Sequence, residues 1–261
     1  EILEFVKNFF LGTAAADFSP RLKTDCADRF DKDARRASCM MIGQNYMVDC
    51  GLYAMESLRI AGKDISKITD IFITHTHADH FVADHVAQIA AGKEKPLRLW
   101  VRRDAEIPEI DNVEVIHMPR HTVMEVAEGF TVETIDANHH PGTFPQHYIF
   151  TIGGKQLLYA TDGAWFLYES YRYLRNRSLD MMIIDATCGD YVGDYRMGEH
   201  NSIPMIRLML PSLRTWGALR EDSRVFLTHL APRLHVSHDE TVALVAKDGI
   251  EVAYDGLELD F

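Results

Sequence analysis

The stretch DIFITHTHADHFVADH, residues 70–85, gathers three histidines around one aspartate directly after an apolar run. The run IFIT predicts a buried strand, so His75 begins the loop at its carboxyl end. His75 and His77 are two residues apart, and in an extended chain their side chains lie on one face. Asp79 and His80 follow where the loop turns into a helix. The loop can therefore offer two pairs of ligands to two neighbouring metal ions, and the alternative is a solvated loop rich in histidine.

Side chains that can bind metal also follow other predicted strands. His139 and His140 lie in DANHHPG, Asp162 ends the strand of LLYATDG, and His229 ends that of VFLTHL. A carboxylate at the position of Asp162 can bridge two cations. Within the adjacent histidine pair we favour His140, because the Pro-Gly turn that follows would fix its position. His139 is the alternative.

Composition and charge limit the classes of partner. Of the 261 residues, 47% are hydrophobic and 25% are charged, which is typical of a globular chain with a sizeable core. Lys and Arg number 27 against 39 Asp and Glu, so the formal net charge is −12. This sign disfavours a long nucleic acid as partner, because such binding depends on neutralising phosphates.

Cysteine usage and hydropathy bear on the cellular compartment. The cysteines are scattered without a CxxC pair, as expected of small core residues in a reduced compartment, although one disulfide is an alternative: Cys26, Cys39, Cys50 and Cys188. No apolar run reaches the roughly 18 residues that a membrane span needs, and no signal peptide is visible. The sequence therefore predicts a cytoplasmic protein without a membrane partner.

Segments typical of strands and helices alternate along the chain without a linker, a low-complexity tract or a repeat. The strand-like runs are rich in β-branched and aromatic residues and end in Gly, Asp or His. Helical periodicity occurs between them at residues 52–61, 82–91, 164–177, 202–213 and 238–247. We therefore predict one α/β domain over residues 1–261, with two sheets and outer helices.

Four motifs in the order HTHADH, HHPG, ATDG and LTH resemble the metallo-β-lactamase superfamily, which has a four-layer αββα sandwich fold. The resemblance covers nearly the whole chain. It is closest to the phosphodiesterase branch that includes phosphoribosyl 1,2-cyclic phosphate phosphodiesterase (PhnP) and, further away, tRNA 3′-processing RNase Z. The segments that support this branch are LGTAAADFSP, RRAS, GEHNSI and VAYDGLEL.

The resemblance implies a site for two divalent transition-metal ions. It implies one ion held by His75, His77 and His140, a second held by Asp79, His80 and His229, and Asp162 as the bridge between them. Histidine and carboxylate ligands suit zinc, which is the expected ion, and also manganese and iron.

Two departures from the branch pattern bear on cofactors and substrate. The PhnP pattern carries a zinc-binding cysteine cluster after the first glycine loop, where RLKTDCADRFDKDARR has Cys26 alone, so we predict no structural zinc. The chain also has no long basic insertion that could clamp tRNA. We therefore expect a small anionic substrate and no long nucleic acid as partner, and a homodimer is compatible with the sequence.

Two cations about 3.5–4 Å apart lower the pKa of a bridging water, so that hydroxide is available near neutral pH. The sequence thus predicts a hydrolase of small phosphodiesters, cyclic ones included, that acts through a metal-bridging hydroxide. Asp79 is expected to orient the nucleophile, and Asp49 to orient a ligand histidine, with core-edge hydrogen bonding as its alternative role. His200, in MGEHNSIP, is the candidate to contact the phosphate or protonate the leaving oxygen. The alternative is a water-exposed histidine at a helix start.

Two other functions are compatible with the same ligands. A hydrolase of lactones, thioesters or β-lactams could use the same metals beside an apolar pocket. A non-catalytic metal-binding protein would keep the fold without turnover, although the full ligand set argues against it.

Overall fold

Within residues 6–261, the part of the chain that the computed structural model describes, the strands form two seven-stranded sheets. The first five residues of the predicted domain 1–261 lie outside this description. The first sheet contains β1 (Lys7–Gly12), β2 (Cys39–Ile42), β3 (Tyr46–Val48), β4 (Asp70–Phe72), β5 (Leu97–Arg102), β6 (Val113–Met118) and the last strand, β14 (Glu258–Asp260). The second sheet contains β7 (Met124–Ala127), β8 (Phe130–Asp136), β9 (Gln146–Ile152), β10 (Lys155–Ala160), β11 (Leu179–Asp185), β12 (Leu219–Thr228) and β13 (Ile250–Val252).

Strand order and direction determine where loops can meet. The first sheet has the order β14-β1-β2-β3-β4-β5-β6, and the second has the order β13-β12-β11-β10-β9-β8-β7. The strands from β3 to β6 pair in parallel, and so do those from β10 to β13. Because parallel strands end at the same edge of a sheet, the loops that follow them in each sheet lie side by side.

Alternating side chains along the strands pack the two sheets face to face. Phe72 of β4 enters the apolar layer between the sheets, where its ring centroid lies 5.2 Å from that of Phe150 in β9. Their neighbours Ile71 and Ile149 belong to the apolar layers on the outer faces. Each sheet therefore has one face against the other sheet and one face under helices. The predicted αββα sandwich is confirmed.

Five α-helices of residues 6–261 cover the outer faces, one in each segment whose periodicity predicts a helix. They are α1 (Ala54–Ile60), α2 (Ala83–Ala90), α3 (Tyr168–Tyr173), α4 (Ile203–Thr215) and α5 (His238–Val245). Among helices of the described residues, none combines the length and the apolar character that crossing a membrane requires.

Helix α3 is much shorter than the predicted segment 164–177, because the backbone leaves the helical conformation on both sides of it. The amide of Ala164 donates to the carbonyl oxygen of Asn138, and the amide of Trp165 donates to Asn201 Oδ1. Leu167 is extended, with ψ of 149°, and Asn176 is left-handed, with φ of 60°, so the helix lies between them. The residues after Asp162 therefore line the functional edge of the sheet instead of forming a turn of helix.

Strands β7 and β14 are absent from the sequence prediction. Both are edge strands, and each pairs with one neighbour only, β7 with β8 and β14 with β1. Each is also short and buries one side chain, Val126 in β7 and Leu259 in β14, so neither shows the apolar alternation that reveals a strand.

The segment around the lone Cys26 is held by a buried arginine. The guanidinium of Arg36 donates hydrogen bonds to the backbone carbonyl oxygens of Cys26, Ala27 and Arg29, and to the Glu56 carboxylate. Arg36 is fully buried, so these bonds satisfy its charge inside the protein. All four cysteines are free and buried, and the absence of a structural zinc stays a prediction.

Candidate metal centre

The candidate site forms where strands of both sheets end. His75 follows β4, Asp162 follows β10, and His229 follows β12, while Asp185 is the last residue of β11. All four side chains are buried. The topology therefore brings residues distant in sequence to one edge of the sandwich, as expected for parallel strands.

The first group of candidate ligands consists of His75, His77, His139 and Asp162. His77 Nδ1 lies 3.0 Å from His75 Nε2 and 3.1 Å from His139 Nε2. Asp162 Oδ2 lies 3.4 Å from His75 Nε2 and 3.8 Å from His139 Nε2. Four donor atoms thus surround one point.

The second group consists of Asp79, His80, His229 and again Asp162. His80 Nε2 lies 3.2 Å from His229 Nε2 and 3.2 Å from Asp79 Oδ2. Asp162 Oδ1 lies 2.8 Å from His229 Nε2. The two carboxylate oxygens of Asp162 therefore belong to different groups, which is the arrangement of a bridging ligand.

The spacing of these atoms fits a transition metal. Ligand bonds of about 2.0–2.1 Å to a tetrahedral zinc place neighbouring donor atoms about 3.3 Å apart. His75 Nε2 lies 3.0 Å from His77 Nδ1 and 3.4 Å from Asp162 Oδ2. Imidazole and carboxylate are also donor types that bind such ions. The residues therefore fit two divalent cations that share Asp162.

Buried Asp49 orients two candidate ligands, His75 of the first group and His80 of the second. His80 Nδ1 donates to Asp49 Oδ2 at 2.6 Å, and His75 Nδ1 lies 3.1 Å from Thr74 Oγ1, which in turn contacts Asp49. Hydrogen bonds at Nδ1 leave the lone pair of Nε2 directed at the metal position. Asp49 thus has the orienting position that the sequence indicates.

Asp185 holds an equivalent position on the other side of the site. His229 Nδ1 lies 2.7 Å from Thr187 Oγ1, which donates to Asp185 Oδ1 at 2.7 Å. His200 Nδ1 donates to Asp185 Oδ2 at 2.7 Å. One carboxylate therefore orients a candidate ligand, His229, and a histidine of neither group, His200.

Burial and neighbouring charges act in opposite directions on the site histidines. Burial lowers the pKa of His75, and the adjacent His80 lowers it further. Burial also opposes protonation of His229, but the carboxylates of Asp162, Asp79 and Asp185 together outweigh this effect and raise the pKa to about 10. Although burial favours the neutral acid, the surrounding histidines hold the pKa of Asp162 well below its usual range. The site therefore keeps a buried negative charge, which attracts cations.

The backbone of the HTHADH loop packs closely against Gly51. Cys50 donates its amide to the carbonyl oxygen of His80, and Leu52 donates to that of Ala78. Between them, a Cβ at Gly51 would lie 2.0 Å from the carbonyl oxygen of Asp79. Only glycine allows this approach, so Gly51 sets the position of the loop.

The structure corrects the choice within the adjacent histidine pair, because His139 and not His140 faces the first group. His140 is exposed, and its ring centroid lies 6.2 Å from that of His77. The turn does hold His140, since the Thr143 hydroxyl donates to its carbonyl oxygen, but it leaves the side chain at the surface. Adjacent residues in extended chain point to opposite sides, so only one of the two can face the site.

Replacing His139 and His140 separately by alanine tests this correction. We expect His139→Ala to lower the metal content by about one ion per chain, because it removes one of four donors from the first group. His140→Ala is the matched control, and it should keep the metal content of the wild type. Elemental analysis measures the metal content of both variants. Loss of metal in His140→Ala alone would show that His140, and not His139, is the ligand.

Among the residues that sequence reasoning singled out, the structure brings together His75, His77, Asp79, His80, Asp162 and His229, and it leaves out His140. A further cluster contains His200 with Asp162, Asp185 and His229. His200 lies beside both groups, with ring centroids 5.0 Å from His139 and 5.4 Å from His229. It is therefore not a water-exposed residue at a helix start.

Asp185, Thr74 and Thr187 were not singled out from sequence. Asp185 ends the apolar strand DMMIIDA, as Asp162 follows LLYAT, and that position was the available signal. The two threonines carry no comparable signal, because threonine is common at strand ends.

Comparison with known proteins agrees with the geometry. The sequence model of a family described as "Beta-lactamase superfamily domain" matches residues 44–251. Comparison with curated protein sequences gives no match. Solved structures that share the fold include a diphosphatase of the PhnP family, with 21% identity, a TM-score of 0.74, and coverage of 98% of this chain and 97% of that one.

Two further structures have the same fold. YhfI from Bacillus subtilis, a metallo-β-lactamase fold protein, is 14% identical with a TM-score of 0.73, over 98% of this chain and 99% of its own. The short form of human tRNase Z is 18% identical with a TM-score of 0.67, over 97% of this chain and 98% of its own. At these identities the comparisons show a shared fold over the whole length.

Proposed function

Because the chain belongs to the metallo-β-lactamase superfamily, we propose that it is a metal-dependent hydrolase that cleaves small phosphodiesters, cyclic ones included. The observation that carries this proposal is the division of Asp162 between two groups of ligands, with Oδ2 toward His75 and Oδ1 toward His229. Two adjacent cation positions are typical of enzymes that hydrolyse phosphate esters.

Two bound divalent cations would supply Lewis acidity, neutralise the phosphoryl oxygens and lower the pKa of water. Zinc is the ion we propose, with manganese and iron as alternatives. The ligands would be His75, His77 and His139 for one ion, Asp79, His80 and His229 for the other, and Asp162 for both.

The residues of the chain account for the proton transfers. Asp79 lies at the edge of the second group, with Oδ2 3.6 Å from His229 Nε2, and we assign it to orient the attacking water. As the water oxygen bonds to phosphorus, the water gives up a proton to solvent and the phosphorus–oxygen bond to the leaving group breaks. His200 then gives a proton from Nε2 to the leaving oxygen.

Asp185 makes His200 suitable as this acid. It accepts the Nδ1 proton of His200 at 2.7 Å, which leaves Nε2 as the free end of the ring. Burial opposes protonation of His200, but the carboxylates of Asp185 and Asp162 together outweigh this effect and raise the pKa of His200. Asp185 is a positioning residue, because it acts on the substrate only through His200.

Charge supports a small substrate. The chain carries a formal net charge of −12, which would repel a long polyanion. A small phosphodiester has one negative charge, and the two cations would offset it locally. We therefore propose a small anionic substrate and neither a long nucleic acid nor a membrane as partner. A cytoplasmic location and a homodimer remain predictions.

A panel of substrates tests the proposal against hydrolysis of lactones, thioesters or β-lactams. The metal-loaded protein should hydrolyse bis(p-nitrophenyl) phosphate and cyclic phosphodiesters with a higher kcat/KM than a lactone, a thioester, nitrocefin or a diphosphate. The Asp162→Asn variant is the control for contaminating activity. A faster reaction with the lactone or nitrocefin would contradict the assignment, and no turnover with any of these would favour a metal-binding protein without catalysis.

A further inference from the structure

Exposed apolar side chains are concentrated in one short segment beside the site. Of eleven large hydrophobic side chains exposed in the described residues, four lie in Tyr191–Met197: Tyr191, Val192, Tyr195 and Met197. Val192 is 90% exposed and Tyr195 is 88% exposed. Exposed apolar side chains grouped in this way, unlike single ones scattered over a surface, point to contact with another molecule.

This segment is attached to the candidate site at both ends. The chain leaves the site after Thr187, passes through Tyr191–Met197 and returns at His200. The Cys188 amide donates to the carbonyl oxygen of Asn201, which holds the two ends of this loop together. The His200 amide donates to the carbonyl oxygen of Arg196 at 2.9 Å. A backbone hydrogen bond therefore joins the helical turn that contains Tyr195 to the proposed acid, His200.

A neighbouring arginine and aspartate hold the Tyr195 ring. The Arg196 guanidinium lies 5.1 Å from the ring centroid, and it is fixed by Asp194, whose two carboxylate oxygens each accept at 2.8 Å. Asp194 also caps the turn Tyr195–Gly198 by accepting from the Arg196 amide. Because Asp194 neutralises the arginine, the segment presents an aromatic surface and no free cation.

We infer that Tyr195 is a platform for a planar aromatic group of the substrate, so that the phosphodiester carries a nucleobase or a similar ring. The inference rests on the proposed function, because the same site must bind the phosphate. An aromatic ring stacks on bases of any sequence, and this contact needs no net charge, as the paired Asp194 and Arg196 provide none. Continuity with His200 favours the substrate as occupant over a second copy of the chain.

The test compares two five-membered cyclic diesters, 2′,3′-cyclic AMP, which carries a base, and glycerol 1,2-cyclic phosphate, which carries none. Tyr195→Ala should lower kcat/KM for cyclic AMP about tenfold, mainly through KM, because it removes one base–aromatic stack. The value for the glycerol diester should stay within about twofold, and Tyr195→Phe should behave as wild type, because the phenyl ring also stacks. Tyr168→Ala is the matched control, since Tyr168 is also exposed and also faces an arginine, Arg172 at 5.6 Å.

Binding separates failure of this inference from failure of the proposed function. Calorimetry should show that Tyr195→Ala weakens the binding of AMP and leaves inorganic phosphate unchanged, whether or not any diester is hydrolysed. Equal loss for both diesters, no loss for either, or the same loss in Tyr168→Ala would overturn the role of Tyr195. Dissociation of a dimer by Tyr195→Ala, seen by sedimentation, would assign the surface to a second copy and also overturn it.

Discussion

Replacing Asp162 with asparagine is expected to lower both metal occupancies together, from about two ions per chain to less than one, and to slow hydrolysis at least about a thousandfold. Asp162 Oδ2 lies 3.4 Å from His75 Nε2, and Oδ1 lies 2.8 Å from His229 Nε2. An asparagine side chain offers one neutral oxygen and no charge, so one substitution weakens both positions. The buried histidines also lose the anion that faces them.

Elemental analysis after metal-replete growth measures the first effect, and turnover of a cyclic phosphodiester measures the second. Asp180→Asn is the matched control, because Asp180 is a partly buried carboxylate at the opposite end of β11 from Asp185. This variant should keep both ions. If Asp162→Asn loses only one ion, Asp162 belongs to a single site, and if the wild type contains none, the metal centre itself is refuted.

Replacing His200 with alanine is expected to lower turnover by about 10²–10⁴-fold while the metal content stays unchanged. His200 belongs to neither proposed set of metal ligands, and its Nδ1 is held by Asp185. An acid that protonates the leaving oxygen matters most when the leaving group is a poor one. The loss should therefore be large for an alkyl leaving group and small for p-nitrophenolate.

This dependence on the leaving group distinguishes proton donation from a structural role, which would slow all substrates alike. His117→Ala is the control, since His117 is an exposed histidine on β6. Asp185→Asn should show the same dependence with a smaller loss, because His200 remains but is poorly oriented. Equal losses across leaving groups would remove His200 from proton transfer, and loss of metal in His200→Ala would make it a ligand.

Much of the fold could be predicted because the central elements carry strong periodic signals. The apolar run IFIT is continuous because its residues are buried on both faces, with Phe72 toward the other sheet and Ile71 toward the helices. The segments of α2 and α4 also carry a strong periodic signal, because each helix buries one apolar stripe and its apolar residues therefore repeat with the helical period. The edge strands β7 and β14 lack this pattern and were missed.

The sequence by itself determined the types of ligand and the loops that carry them. His75, His77, Asp79 and His80 lie within six residues, so local chain direction already places them together. Asp162 and His229 were recognisable because each follows an apolar strand, and the parallel order of strands brings such ends to one edge.

Only the tertiary structure decided which of His139 and His140 faces the site, and which acid serves which histidine. In the sequence the adjacent histidines are equivalent in type, and the choice depends on the rotation of the strand end that brings His139 Nε2 to 3.1 Å from His77. The pairing of Asp185 with His200 joins the end of β11 to a residue that precedes α4, and the packing of the intervening segment sets it. Local sequence specifies neither orientation, because each depends on contacts between elements that are far apart along the chain.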